Sequence, residues 1–310
     1  MIKAAVIGVG SLGQHHARIL TSTADVRLVG VADINPDQGR AVAERYGTRF
    51  FEDYRELVSL TDCVTVAAPT TDHHRICVPF LDAGRHVLVE KPIAADPADA
   101  RDLIRRAAHA GVVLQVGHLE RFNPAFLAVR GLARDPRFFE AHRLGVFVPR
   151  CLDVDVVLDL MIHDLDLVLH LVQSEIRDIR ASGAPVLTGK IDIASARIEF
   201  ANGAVANLTA SRISAEKLRK FRWFQEGQYF SVDLGRQAVV SRRVQPADNP
   251  VGREMVAQEI SVQAGEPLRL ELVSFIRAVR GEAPNGCRGE EGLAALDAAH
   301  AVLARIAAGR

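Results

Sequence analysis

Gly8-Val9-Gly10-Ser11-Leu12-Gly13 spells G-x-G-x-x-G, a pattern that is weak alone because glycine-rich turns are common. Here it follows a short apolar run at residues 3–9 and opens a helix running to residue 20, inside a β-α-β unit. In that setting the first glycine permits a tight turn and the second lets a pyrophosphate approach the backbone. The third lets helix and strand pack closely, so the phosphates meet the helix N-terminus and its N–H groups. A second apolar run ends at Asp33, twenty positions past Gly13. A carboxylate there accepts hydrogen bonds from the ribose hydroxyls and repels a 2′-phosphate, and Ile34-Asn35-Pro36 offers no arginine to receive one. The pattern predicts a dinucleotide site that prefers NAD to NADP.

Two further groups of residues can do chemistry. Glu90-Lys91-Pro92 stands at the end of the fifth apolar strand pattern, residues 86–90, on the sheet edge where open α/β folds bind ligands. Lys91 there can reach both a nicotinamide and a substrate hydroxyl, although residue type alone favours reading Glu90 and Lys91 as a surface ion pair. Residues 156–172 read as a very apolar helix in which Asp159, His163, Asp166 and His170 are spaced by four, three and four. Such spacing lines one narrow helix face, which Asp155 and Gln173 extend. The seam faces solvent or a cleft. A histidine one turn from a carboxylate is an acid–base pair, because the carboxylate orients the ring and stabilises its cation.

These residues need a scaffold, and the chain of 310 residues is long enough for two domains. Up to residue 117, apolar runs at 3–9, 26–33, 49–51, 62–67, 86–90 and 112–117 alternate with helical patterns at 36–46, 53–60, 71–83 and 97–110. That alternation predicts a parallel sheet covered by helices. After Phe122-Asn123-Pro124 the texture changes. Helices are predicted at 124–133 and 156–172. Strands follow at 176–187, 193–200, 204–213, 221–224, 229–234, 238–244 and 255–262, joined by turn signals that suit antiparallel hairpins. Helices at 267–279 and 290–308 close the chain. The domain boundary is placed near residue 120, dividing the chain into 1–120 and 121–310.

Composition excludes several function classes. Hydrophobic residues make up 48% and charged residues 25%, so the chain is not disordered as a whole. Lys plus Arg and Asp plus Glu are 38 each, without the basic excess of a general nucleic-acid binder. The basic stretch 212–222 is read as an edge strand or an interface, with a phosphate contact as the other reading. No apolar run nears the roughly 18 residues that would span a bilayer, and no secretory signal is recognised, which places the protein in the cytoplasm. Cys63, Cys77, Cys151 and Cys287 show no C-x-x-C spacing and suit a reducing compartment. The pairs His15-His16 and His73-His74 do not share a helix face, and H-E-x-x-H, G-x-S-x-G and P-loop signatures do not occur. No metal site is predicted.

Taken together, the glycine fingerprint, Ala68-Pro69-Thr70 with His73, Glu90-Lys91-Pro92 and the Asp159…His163 helix resemble the Gfo/Idh/MocA oxidoreductase family. The resemblance covers essentially the whole chain. It implies an N-terminal Rossmann domain that holds NAD, and a C-terminal α+β domain with an open, mainly antiparallel sheet for substrate and oligomer contacts. Gly8, Gly10, Ser11, Leu12, Gly13, Asp33, Ala68, Pro69, Thr70, His73, Glu90 and Lys91 would then hold the cofactor. Lys91, His163 and Asp159 would be catalytic, with Arg121, Asn123, Asp159 and His163 on the substrate. Asn123 equally suits the cap of a helix beginning at Pro124. The family's helix pattern is D-x-G-x-H-x-x-D, and Met161 stands where the pattern has glycine. Residues 117–124 and 153–164 are similar to a bacterial branch that oxidises the C3 hydroxyl of UDP-N-acetylglucosamine on the way to lipid A. The resemblance implies a small sugar-nucleotide substrate and a homo-dimer or homo-tetramer. A cyclitol or free-sugar dehydrogenase and a non-catalytic NAD-sensing protein are the other readings.

Overall fold

The computed structural model describes residues 1–148, 154–284 and 286–309, which divide into two compact units. Cys151 and Asp153 lie outside the described residues.

The first unit comprises Met1–Leu119 and Pro267–Leu293. Its chain order is β1 (Ile2–Ile7), α1 (Gly13–Thr21), β2 (Val26–Ala32), α2 (Pro36–Arg45), β3 (Phe50–Phe51), β4 (Cys63–Val66), α3 (His73–Asp82), β5 (His86–Glu90), α4 (Pro97–Ala110) and β6 (Leu114–Gly117). Every pairing is parallel, in the order β3-β2-β1-β4-β5-β6. The central strands are apolar throughout because helices cover both faces. Strand order reverses between β1 and β4, the switch point where such sheets take a ligand beyond their strand ends. Local chemistry sets the helix starts. Asn35 accepts from the N–H groups of Asp37 and Gln38 with Pro36 at the first position, and Asp96 accepts from Ala98 ahead of α4. The helix expected at 53–60 is only a 3₁₀ turn, Tyr54–Leu57, started by Asp53.

The second unit comprises Glu120–Glu266 and Ala294–Arg310. It contains α5 (Pro124–Val129), β7 (Phe138–Leu144), α6 (Ile162–Val172), β8 (Ile176–Ala184), β9 (Ile193–Phe200), β10 (Val205–Ser211), β11 (Leu218–Gln225), β12 (Gln228–Asp233), β13 (Ala238–Pro246) and β14 (Arg253–Gln258). The sheet order is β14-β13-β12-β11-β7-β10-β9-β8. Only β7 and β10 pair in parallel; the other neighbours are antiparallel. The result is an α/β Rossmann domain plus an α+β domain with a mainly antiparallel sheet. α5, α6 and the later turns of the last helix, α8 (Gly289–Ala308), share one core with the inward strand residues. Phe126, Leu165, Phe139, Phe221, Trp223, Phe230 and Val302 meet there.

Three elements depart from the sequence expectation. β7 was not anticipated at all. β11 lies inside the sheet, between β12 and β7, so the basic stretch is not an edge strand. Helix α7 (Pro267–Val279) buries Leu268, Leu272, Phe275 and Ile276 among residues of the first unit's core, whereas residues 121–310 were expected as one domain. Each such side chain contributes about 1.5–3 kcal/mol when removed from water, which explains why the segment returns to the first unit.

Candidate active site

The phosphate cradle is built from main chain. Gly8 has φ +80°, and a Cβ there would lie 2.8 Å from the backbone of Ala67 and Ala68; a Cβ on Gly13 would collide with the Gly8 carbonyl. Gly10 instead faces open space, and Ser11 and Leu12 are exposed. Leu12 supplies no side-chain cap to α1; in the first turn Gln14 N–H donates to the Gly10 carbonyl and His15 N–H to that of Leu12. Asp33 is set firmly: Oδ2 accepts from Val9 N–H at 2.7 Å and Oδ1 from Asn35 N–H at 2.8 Å. It borders a cavity of about 580 Å³ lined also by Gly8, Gly10, Ala68 and Pro69. These residues fit a dinucleotide: Gly8 and Gly13 let the turn, the strand end and the helix pack closely, Gly10 leaves room that a side chain would fill, and the carboxylate is held at the wall.

Sequence reasoning missed part of that wall. Tyr54, Arg55 and Arg75 also line the cavity. Arg55 is engaged by Asp53 at 2.8 Å and Arg75 by Asp72 at 2.8 Å. Two cations beside the cavity are thus matched by two carboxylates, and the preference for NAD over NADP keeps its footing on Asp33. No local spacing in the sequence announces these residues, because they reach the cavity from a 3₁₀ turn and a helix start.

Glu90 turns inward rather than toward a ligand. Its carboxylate lies 3.2 Å from Nε2 of the buried His16 and occupies the space a Cβ of Gly117 would need. Lys91 follows, half-buried, and the Lys91–Pro92 bond is cis. His73, expected on the cofactor, is buried with Nδ1 at 2.9 Å from the Pro92 carbonyl and Nε2 at 2.9 Å from that of Ala68. The first unit therefore brings Gly8, Ala68, Asp33 and the cavity together, while Glu90 and His73 brace the turns behind them. Cys63 and Cys77 are buried, and burial pushes both thiols up, away from nucleophilic use.

In the second unit the polar helix differs from a uniform seam. Val157–Met161 forms a π-helical turn, and α6 begins only at Ile162. The wider turn breaks the 3.6-residue register assumed from the spacing, and such turns recur at functional positions. Asp159 precedes α6 on that turn and His163 sits in its first turn; both are half-buried. Asp155 does not extend the seam; it accepts from Ile191 N–H at 2.7 Å. Gln173 ends the helix in a left-handed conformation. His170 packs its ring 6.2 Å from Phe126.

The neighbouring acids are bound by arginine pairs. Asp166 takes a two-pronged pair from Arg121, Nε at 2.8 Å and Nη2 at 2.7 Å. Asp164 takes the same from Arg143, at 3.0 and 2.8 Å, and Arg143 also reaches Glu120 at 2.8 Å. Burial works against the Arg143 charge, but the Asp164 and Glu120 carboxylates overcome it and push this guanidinium further up. Asn123 caps α5 by accepting from Ala125 N–H and donates to Glu120 and the Leu234 carbonyl. Arg121 and Asn123 were expected on the substrate; their guanidinium and amide are instead about 98% enclosed and committed to the unit's interior. Much of the basic stretch is engaged within the unit: Arg212 donates to the Val154 and Ile191 carbonyls near Asp192, Arg222 pairs with Glu140, and Lys220 with Asp233.

This fold and cofactor cradle define a dinucleotide-binding protein. Residues 2–118 match the Gfo/Idh/MocA family's NAD-binding Rossmann domain and residues 133–228 match its C-terminal domain. The chain belongs to the Gfo/Idh/MocA oxidoreductase family. A UDP-N-acetylglucosamine 3-dehydrogenase from Acidithiobacillus ferrooxidans is 37% identical over 99% of this chain and 98% of its own. A solved structure of that enzyme superposes with TM-score 0.91 over 99% and 98% of the two chains, at 36% identity. An inositol 2-dehydrogenase from Rhizobium meliloti is 28% identical over 99% and 97%. Its family makes the chain a dehydrogenase of CH–OH groups. Among the described residues no helix is long and apolar enough to cross a membrane.

Proposed function

We propose that the protein oxidises the C3 hydroxyl of UDP-N-acetylglucosamine to the 3-keto sugar nucleotide with NAD. The observation that carries this reading is the 37% identity to the Acidithiobacillus enzyme across both units, well above the 28% to the inositol enzyme. The 3-keto product would suit an aminotransferase that supplies an amino sugar for lipid A. The protein would act in the cytoplasm as a homo-oligomer, a dimer or tetramer. Asp33, Gly8, Gly10, Gly13 and Ala68 would hold NAD, which when bound supplies the hydride acceptor.

His163 takes the hydroxyl proton as general base, Asp159 orients its ring, and Lys91 polarises the oxygen that becomes the carbonyl. The Arg143–Asp164 and Arg121–Asp166 pairs hold α6 so that His163 keeps its direction. The second reading is a cyclitol dehydrogenase, favoured by the inositol 2-dehydrogenase relatives. An assay of NAD reduction with UDP-N-acetylglucosamine and with inositols, coupled to an aminotransferase that draws off the ketone, separates the two. NADH formation with the UDP-sugar alone supports the proposal; NADH formation with inositols alone replaces it.

A further inference from the structure

His73 opens α3 and is 1% exposed, yet both of its ring nitrogens meet oxygen atoms that can only accept. Nδ1 lies 2.9 Å from the Pro92 carbonyl and Nε2 lies 2.9 Å from the Ala68 carbonyl. A neutral imidazole carries one N–H. It satisfies one of these carbonyls and turns a lone pair on the other, whereas the imidazolium donates to both. The two carbonyls belong to different turns. Ala68 follows β4 and its backbone fills the space beside Gly8, the first glycine of the phosphate cradle. Pro92 follows Lys91 at the end of β5.

We propose that His73 is a positioning residue whose protonated ring ties the Ala68 turn to the Pro92 turn, and whose deprotonation releases one of them. The tie sets the floor of the phosphate cradle and the base of the lysine turn through a single side chain. Charges around the ring are few. Glu90 on β5 faces it and is itself against His16 on α1, and Lys91 lies next on the turn. On the helix itself Asp72 pairs with Arg75, and His74 with Asp102. Burial pushes the His73 ring below its ordinary value, and the Ala68 and Pro92 carbonyls, the Glu90 carboxylate and the Ile93 carbonyl pull it part of the way back. In the protein without NAD the second proton is therefore taken up below the usual imidazole range. A ligand that needs both turns in place favours the protonated ring, so NAD binds more tightly as the pH falls through that window and takes up a proton in doing so.

The test is NAD binding by calorimetry from about pH 8 to about pH 5, on the full chain and on His73→Gln, whose amide can serve one carbonyl but does not titrate. NAD is the probe, so the result is independent of which alcohol is oxidised and of the role of Lys91. Wild type should gain affinity on acidification with net proton uptake. His73→Gln should bind about two- to ten-fold more weakly at the acidic end, the worth of one net hydrogen bond, and lack the His73 inflection. Nitrogen NMR of the wild-type ring in the NAD complex decides the matter even should the variant fail to fold. Two protonated ring nitrogens at the acidic end support the tie. One bare nitrogen throughout, or the same pH dependence in both proteins, overturns it.

Discussion

In the first unit the cofactor cradle is largely main chain: glycine positions and one carboxylate pinned by two backbone donors. In the second unit the residues around the proposed catalytic histidine are charged side chains paired across sequence distances of 21 to 45 residues. The first arrangement is local, because a glycine that allows a positive φ or a close approach needs no distant side-chain partner, though it gives up more backbone entropy on folding. The second is costly to bury and stable only with every partner present. The dinucleotide cradle is thus built from backbone shape, while the surroundings of His163 depend on side-chain pairs.

The largest effects should come from the proposed chemistry. Lys91→Ala and His163→Ala should each lower kcat by about 10²–10⁴ with unchanged far-UV circular dichroism. Turnover near wild type in both would remove the acid–base assignment and leave only the cofactor half of the comparison. Next in size is the buried network. Arg143→Met leaves Asp164 and Glu120 without their shared cation and should cost about 3–5 kcal/mol of stability in urea titration. A loss below about 1 kcal/mol would place that pair with surface ion pairs and erase the contrast between the units. Asp33→Ser should change binding rather than folding: NAD affinity falls about ten-fold, the range of a hydrogen bond to a charged group, and discrimination against NADP shrinks. An unaltered cofactor preference would mean that Arg55 and Arg75 decide it with their own carboxylates.

How much of this could be read from the chain follows the same division. The G-x-G-x-x-G turn and Asp33 are legible because their meaning lies within one β-α-β unit. β7 escaped because its inward positions are Phe139, Ala141 and Arg143; a buried arginine breaks the apolar alternation that marks a strand. The π-turn at Val157–Met161 hid for a related reason, since a periodicity argument assumes a constant 3.6 residues per turn. Arg121 and Asp166 are 45 residues apart, and nothing local shows that they neutralise one another. α7 reads plainly as a helix, but its apolar face says nothing about which core receives it.

The smallest predicted effect is on stability against pH. His73 and His86 both lie below the ordinary imidazole value, chiefly through burial, and His86 Nδ1 accepts from Val113 N–H, a bond its protonation would break. Between the folded and the ordinary values the unfolded chain binds more protons, so stability falls as the pH drops through that window and levels off beneath it. The thermal midpoint without NAD should therefore decline below about pH 6.5. A midpoint that rises there would show that the folded rings take protons more readily than the unfolded chain.

The most direct measurement uses UDP-N-acetylglucosamine deuterated at C3, with NAD, wild-type protein and the coupled aminotransferase. The account predicts deuterium on the nicotinamide C4 of the NADH formed, slower turnover than with the protiated sugar, and strongly reduced label transfer in Lys91→Ala and His163→Ala. Reduced cofactor without deuterium, or label transfer undiminished in both variants, would contradict it.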